Sequence, residues 1–217
     1  MVIEARVTEV LGCPYKSHHQ RKTERMVCGA GAHALRQDFL GLLDFKTEVE
    51  LRVRINNDFV LVGHIDALYD AEYPPRIYEL KTSEKIYHTY KLQTRTYAWM
   101  YARLFHKLPL TYIILIGDDG SVRRREEVFE PDLGVVERIV RGRVRMIKYY
   151  MHVFDIDYTR VRLPNEFCRY CVFRRSCPVF KTKPRFFKTL DRFPKLSESW
   201  VIIEEVGKRG GWFSGCS

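Results

Sequence analysis

The order of apolar and polar positions along the chain predicts helices and strands that alternate. Residues 29–43 carry leucine and phenylalanine at helical spacing and predict an amphipathic helix. Residues 48–55 then alternate between apolar and charged side chains, which is typical of a strand with one buried face. Turn residues at 56–58 separate this strand from a second one at 59–70, so the two segments predict a β-hairpin.

The rest of the pattern predicts an α/β fold with a mixed central sheet flanked by helices. After a Tyr-Pro-Pro breaker, residues 76–82 predict a third strand and residues 86–106 a helix. Residues 110–117 form an apolar run of the length of a buried strand, and residues 122–130 predict one further strand. Residues 132–151 predict a basic helix. The C-terminal part is rich in Pro, Phe and Lys and lacks periodicity, so we expect irregular structure there.

Length and composition fit a single domain over residues 1–217. A chain of 217 residues with 46% hydrophobic content can bury one packed core, and it contains no internal repeat or Gly/Ser linker. No stretch approaches the roughly 18 to 20 apolar residues of a membrane span. The N-terminus carries glutamates where a signal peptide is apolar. We therefore expect a cytoplasmic protein with no membrane partner.

The chain has an excess of positive charge, since 37 Lys and Arg stand against 27 Asp and Glu for a net charge of +10. This excess favours a polyanionic partner such as nucleic acid. The basic residues concentrate in two regions, which are Arg123, Arg124, Arg125, Arg138, Arg141, Arg143, Arg145 and Lys148, and the Phe-interleaved stretch from Lys181 to Lys188. Charge beside aromatic side chains is typical of proteins that bind single strands. The alternative is a solvated basic surface without a partner.

Three charged residues on two neighbouring strands predict a metal-dependent site. Glu79 and Lys81 share one strand face because side chains alternate, while Leu80 points to the core. If the strands pair, Asp66 lies beside Glu79, and two carboxylates that close repel each other unless a divalent cation lies between them. Oxygen ligands suit Mg²⁺ or Mn²⁺, and Lys81 adds a positive charge for a phosphate. The alternative is a surface ion pair between solvent-facing strands.

Further polar residues flank this pattern. His33 stands at the head of the first helix in the segment Gly-Ala-Gly-Ala-His, and Gln93 and Tyr97 lie one turn apart on one face of the second helix. His64 alternates onto the face of Asp66 and is a candidate partner for a metal ligand. An isolated histidine is more often a hydrogen-bonded core residue, so the candidate role of His33 depends on the surrounding motifs.

The series GxxxH, GHID, ELK and QxxxY resembles the RecB-like nuclease branch of the PD-(D/E)xK superfamily, over about residues 29 to 101. The resemblance implies a nuclease core at 29–151. It implies a Mg²⁺ or Mn²⁺ site ligated by His33, Asp66, Glu79 and the backbone carbonyl of Leu80. It also implies that Lys81 is the catalytic lysine and that Gln93 and Tyr97 support the site and contact DNA.

Four of the six cysteines form a second constellation. Cys168, Cys171 and Cys177 follow a C-x2-C-x5-C-P spacing, and Cys13 stands far upstream before a proline. Four such thiolates suit either an iron-sulfur cluster or a structural zinc ion. Similarity to the iron-sulfur RecB nucleases favours the cluster, as [4Fe-4S] or [2Fe-2S], in a module that joins the segments 1–28 and 152–217. Of the two other cysteines, Cys28 is predicted to be a small buried residue and not a ligand, and Cys216 is predicted to lie in a C-terminal tail, Gly207 to Ser217.

The whole chain resembles the CRISPR-associated RecB-like exonucleases, the fourth-numbered Cas family. This resemblance implies 5′ to 3′ cleavage of single-stranded DNA, with endonuclease activity as a further activity. It also implies a role in spacer acquisition with CRISPR integrase proteins as partners. Two alternatives stay open, an iron-sulfur repair nuclease of the helicase-nuclease type and a non-catalytic DNA-binding iron-sulfur protein.

Overall fold

The computed structural model describes most of the chain up to residue 177. The described residues are 2–20, 24–41, 43–119, 121–128, 132–165, 168 and 171–177. The chain divides into two compact units, residues 1–172 and 173–217, and the fold below is that of the first. The predictions for the stretch from Lys181 to Lys188 and for Cys216 lie outside the described residues. The prediction of one domain over 1–217 stays a prediction.

The described part of the chain contains six strands, which form one mixed sheet. They are β1 (Ile3–Arg6), β2 (Lys46–Asn56), β3 (Phe59–Tyr69), β4 (Arg76–Lys81), β5 (Leu110–Ile116) and β6 (Val122–Glu127). The order is β1-β3-β4-β5-β6, with β2 paired to β3. The β1–β3 and β4–β5 pairs are parallel and the others are antiparallel. The predicted mixed sheet and the hairpin of β2 and β3 are confirmed.

Five α-helices and one 3-10 turn within the described residues accompany the sheet. They are α1 (Val7–Leu11), α2 (Pro14–His19), α3 (Glu24–Gly41), α4 (His88–Phe105), α5 (Leu133–Phe154) and the turn Tyr158–Arg160. One face of the sheet packs against α3, where Ala32 and Leu40 join Ala67 and Leu80 in an apolar cluster. No helix within the described residues combines the length and apolar character needed to cross a bilayer.

The sheet is split along one edge of β3, and this split positions the site. Because β2 pairs along one whole edge of β3, β1 and β4 share the other edge. β1 pairs with residues 59–62 and β4 with residues 67–69, so residues 63–66 lie between the two registers. The side chain of Asp66 faces away from the α3 cluster, because Ala67 beside it joins that cluster.

Candidate active site

The carboxylate of Asp66 bridges the split between β3 and β4. Its Oδ2 accepts a hydrogen bond from the backbone N–H of Leu80 over 2.7 Å, in place of a strand-to-strand backbone bond. Asp66 is thereby held at 8% exposure beside the strand that carries Glu79. The prediction that the strand of Asp66 pairs with the strand of Glu79 is confirmed, because β3 and β4 are neighbours in the sheet.

His33 reaches the same carboxylate from α3. Its Nε2 lies 3.1 Å from Oδ2 of Asp66, and its side chain is 24% exposed. Burial lowers the pKa of His33, but the hydrogen bond and the negative charge of Asp66 raise it by more, so the net pKa lies above its usual value. A metal ion bound at this ring nitrogen would therefore have to displace a proton.

Glu79 and Lys81 project from β4 into the same space and form an ion pair. Gln93 on α4 donates from Nε2 to Oε1 of Glu79 over 2.6 Å and to the hydroxyl of Tyr97 over 2.8 Å. Glu79 is 1% exposed, yet its Oε2 has no hydrogen-bond partner among the described residues. A buried oxygen without a partner is costly, so this atom is available to a ligand.

Burial sets the protonation of this network in the metal-free protein. Desolvation, followed by the charge of Asp66, raises the pKa of Glu79 to about 8. Burial lowers the pKa of Lys81, but the charges of Glu79 and Asp66 outweigh it and the net pKa is raised. Burial and the charge of Glu79 raise the pKa of Tyr97 well above its usual value. Lys81 is therefore a cation and Tyr97 a neutral hydroxyl at neutral pH.

The residues present fit a divalent cation. Ligand atoms of His33, Glu48 and Asp66 all lie within 4.8 Å of one another. An imidazole with carboxylates suits Mn²⁺, and carboxylates alone suit Mg²⁺. The partnerless Oε2 of Glu79 is a further donor of the right kind. The ligand roles of His33, Asp66, Glu79 and the Leu80 carbonyl stay predictions.

These residues line one cavity of about 420 Å³, which we call the active-site cavity. Its lining residues are Arg6, Val7, Thr8, Glu48, Val62, His64, Asp66, Glu79, Lys81, Gln93 and Tyr97. His64 lines this cavity but lies 3.3 Å from Glu50 in an ion-pair geometry, which identifies Glu50 as its charged partner. The cavity thus contains all five residues that the sequence assigned to catalysis, with His33 beside Asp66.

Sequence reasoning missed Glu48 and Gln37. Thr47 pairs with Ala67 and Val49 with Ile65, so Glu48 falls opposite Asp66 across the hairpin. Gln37 lies on α3 and donates to Oε1 of Glu48 over 2.5 Å. A regular register counted back from the turn would have placed Val49 opposite Asp66, because a register shift between Arg54 and Asn56 moves the pairing by one residue. Gln37 stands one helical turn after His33, and that spacing was the signal for its position.

The cysteine-bearing segments of the first unit are held together by a buried arginine. Arg143 on α5 is 5% exposed and donates to the backbone carbonyls of Leu11, Gly12 and Pro164 over 2.9 to 3.3 Å. Gly12 directly precedes Cys13, and Pro164 precedes Cys168 by four residues. From the sequence, Arg143 was predicted to be one of the basic residues that contact DNA. This prediction is wrong, because the guanidinium is buried against backbone oxygens.

Cys13, Cys168, Cys171 and Cys177 are free thiols of intermediate burial. The thiol of Cys168 accepts a hydrogen bond from the backbone N–H of Asn165 at 3.3 Å. Desolvation lowers the pKa of Arg143 to about 10, and the charges of Cys13 and Cys168 act against that decrease. The buried cation therefore lies within electrostatic range of both sulfurs. Cys28 lies in α3.

Comparisons with known proteins give the family and the fold. The model of the PD-(D/E)XK nuclease superfamily matches residues 4–178. No curated protein matches the chain in sequence. The crystal structure of SSO0001 is 20% identical, with 82% of this chain and 86% of that chain covered at a TM-score of 0.55. The crystal structure of a candidate exonuclease from Eubacterium rectale is 12% identical, with 78% and 76% covered at a TM-score of 0.41.

Proposed function

Because this chain belongs to the PD-(D/E)XK nuclease superfamily, we propose that it is a divalent-metal-dependent deoxyribonuclease that acts at the active-site cavity. The observation that carries the proposal is the convergence of Asp66, Glu79 and Lys81 on one cavity. His33 reaches Asp66 there from a separate helix. Two carboxylates, an imidazole and an ammonium are the groups that metal-assisted phosphodiester hydrolysis needs.

The cation of the proposed enzyme is Mg²⁺ or Mn²⁺, held by His33, Asp66 and Glu79 with the backbone carbonyl of Leu80. When bound, it supplies Lewis-acid polarisation of the phosphate and a more acidic water. A divalent cation also removes the repulsion between the two carboxylates and gives the buried Oε2 of Glu79 a partner.

The side chains of this protein have separate tasks in the reaction. A water molecule attacks phosphorus in line and gives up a proton to solvent, the P–O bond to the leaving oxygen breaks, and that oxygen takes up a proton from solvent. Lys81 places its ammonium beside the reacting phosphate, where it stabilises the charge on the non-bridging oxygens. Because its pKa is raised, Lys81 acts as a cation and not as a base. Gln93 orients Glu79 through the 2.6 Å hydrogen bond, and Tyr97 holds Gln93 in turn.

We propose single-stranded DNA as the substrate, digested from 5′ to 3′ during CRISPR spacer acquisition. The resemblance to the CRISPR-associated RecB-like exonucleases supports the direction and the role. An aromatic pair beside the cavity supports the single-stranded form, since unstacked bases bind to aromatic faces. Tyr87 and Tyr90 have ring centroids 5.3 Å apart, and the Lys81 ammonium lies 5.2 Å from the ring centroid of Tyr90.

We further propose that Cys13, Cys168, Cys171 and Cys177 ligate an iron-sulfur cluster. The support from the fold concerns Cys13 and Cys168, whose flanking segments are held by one buried guanidinium. The same guanidinium is the buried cation that lies within electrostatic range of both sulfurs. Iron and zinc analysis of the purified protein, together with its visible absorbance, separates a cluster from a structural zinc ion.

The deciding experiment incubates full-length protein with end-labelled single-stranded and duplex DNA, with Mn²⁺, with Mg²⁺ or with EDTA. We expect metal-dependent cleavage that prefers single strands, and the label position reports the polarity. Asp66→Asn and Lys81→Met are expected to lower the rate by about 100-fold or more. Asp70→Asn and Lys46→Met are matched controls, because these two residues form an exposed ion pair at 2.7 Å near the end of β3.

Cleavage that persists in folded Asp66→Asn protein, or in EDTA, contradicts the proposed site. DNA binding without any cleavage by the native protein supports instead a non-catalytic DNA-binding role. Affinity for single strands should fall steeply with salt in either case, because phosphate contacts release counterions.

A further inference from the structure

Glu48 has an unusual backbone conformation for its position. It lies within β2, yet its φ is 51°, in the left-handed region. Residues other than glycine rarely adopt this region, and such strain persists where the surrounding structure requires it. The other non-glycine residues with positive φ among those described lie outside the strands, so Glu48 is strained at a position where extended backbone is the ordinary conformation.

The side chain of Glu48 is oriented by a residue that also contacts the catalytic elements. Gln37 donates from Nε2 to Oε1 of Glu48 over 2.5 Å and to the backbone carbonyl of Asp66 over 3.3 Å. Gln37 also forms a side-chain hydrogen bond with His33. One amide therefore connects three residues whose ligand atoms lie within 4.8 Å of one another.

A second, independent observation points to a cation in this space. Glu79 lines the same cavity as Glu48 and Asp66, is 1% exposed, and has a buried Oε2 without a partner among the described residues. Lys81 pairs with Glu79, but Asp66 and Glu48 add two further carboxylates at the same cavity, and like charges this close repel each other. A divalent cation between them satisfies the orphan oxygen and offsets this repulsion.

We propose that Glu48 is a ligand of the divalent cation, alongside His33 and Asp66. This inference rests on the proposed function, because it concerns the cation of the same cavity. The strained backbone then has a reason, since it directs a carboxylate from β2 towards Asp66 on β3. Gln37 is the positioning residue that holds the carboxylate there. The cation is then bound by a residue of β2 in addition to those proposed from α3, β3 and β4.

The test measures Mn²⁺ affinity by calorimetry on the full-length protein, without DNA. Glu48→Gln keeps the shape and an acceptor for Gln37 but removes the charge, and we expect it to weaken Mn²⁺ binding roughly 10- to 100-fold. Glu48→Gly is expected to weaken binding as well. It should raise the melting temperature of the metal-free protein, because glycine adopts a positive φ without strain. Glu72→Gln is the control, because Glu72 is an exposed carboxylate that does not line the active-site cavity, and it should leave both quantities unchanged.

A loss of affinity together with a gain of thermal stability in Glu48→Gly supports the inference, because a purely structural residue cannot produce both. Mn²⁺ binding by Glu48→Gln within twofold of the native protein overturns it and leaves the proposed function intact. Native protein that binds no Mn²⁺ overturns both. Asp66→Asn should abolish tight Mn²⁺ binding, which shows that the binding measured in each variant takes place at this cavity.

Discussion

Gly63 on β3 and Tyr97 on α4 lie so close that a β-carbon on Gly63 would stand 2.9 Å from Cε1 of the tyrosine ring. Gly63 lies in the part of β3 between the registers of β1 and β4. The missing side chain lets the ring lie directly over the strand, where its hydroxyl accepts the hydrogen bond from Gln93. The glycine of the GHID motif thus brings α4 near enough to orient Glu79.

Gly63→Ala tests this relationship. The added methyl group must displace the Tyr97 ring or the Met100 sulfur, which would stand 3.1 Å away. We expect a loss of about 1–3 kcal/mol in unfolding free energy and a lower cleavage rate, since Tyr97 moves away from Gln93. Gly31→Ala is the control, because nothing lies within 4 Å of its added carbon and alanine favours a helix by about 0.5–1 kcal/mol. Chemical denaturation with parallel cleavage assays decides the outcome.

The buried carboxyl of Glu79 predicts how the stability of the metal-free protein depends on pH. Its pKa is about 8 in the folded protein against an ordinary value of 4.5, so the folded state binds the proton more tightly. Stability from this group is complete below pH 4.5 and is lost as the pH rises through about 8. Each pKa unit corresponds to about 1.4 kcal/mol, so the loss is a few kcal/mol at most.

Glu79→Gln removes this titration. In EDTA, the difference in unfolding free energy between native and Glu79→Gln protein should increase from pH 5 to pH 8 in favour of the variant. Saturating Mn²⁺ should reverse the order at pH 8, because only the native carboxylate gains a cation. If the unfolding free energies of the two proteins change in parallel from pH 5 to pH 8, the raised pKa of Glu79 is contradicted.

The part of the site that follows from local periodicity was predictable. Alternation along β4 places Glu79 and Lys81 on one face and Leu80 on the other, and the structure has this arrangement. The order of elements from α3 to α5 followed in the same way. β1 and α1 escaped prediction because they have 4 and 5 residues, too few for a periodic pattern.

What the sequence could not supply depends on contacts between distant segments. The strained backbone of Glu48 exists only within the paired hairpin. Arg143 was misassigned because a charge pattern does not reveal which arginine of a basic helix is covered by the N-terminal segment. Its partners lie more than 130 residues away along the chain, at Leu11 and Gly12.

Arg143 is expected to be a main determinant of stability for the first unit. Arg143→Gln leaves several buried carbonyls without a donor, and we expect a loss of about 3 kcal/mol in unfolding free energy. Arg143→Lys keeps the charge but not the planar set of donors, so its unfolding free energy should lie between those of the native protein and Arg143→Gln. Arg145→Gln, on the exposed face of the same helix, should change stability by less than about 0.5 kcal/mol. Equal melting curves for the Arg143 and Arg145 variants would exclude this role.

Replacing a proposed cluster ligand should remove the colour of the protein and lower its solubility and its DNA cleavage together. A cluster that includes Cys13 and Cys168 closes a loop over nearly the whole first unit, so its removal frees the unfolded chain. We expect Cys13→Ala and Cys171→Ala to lose visible absorbance and bound iron and to lower soluble yield and DNA cleavage together. Cys28→Ala is the control, since Cys28 is predicted not to be a ligand. A Cys171→Ala protein that is stable, colourless and fully active would show that no cluster supports this fold, while the proposed site at Asp66 would stand.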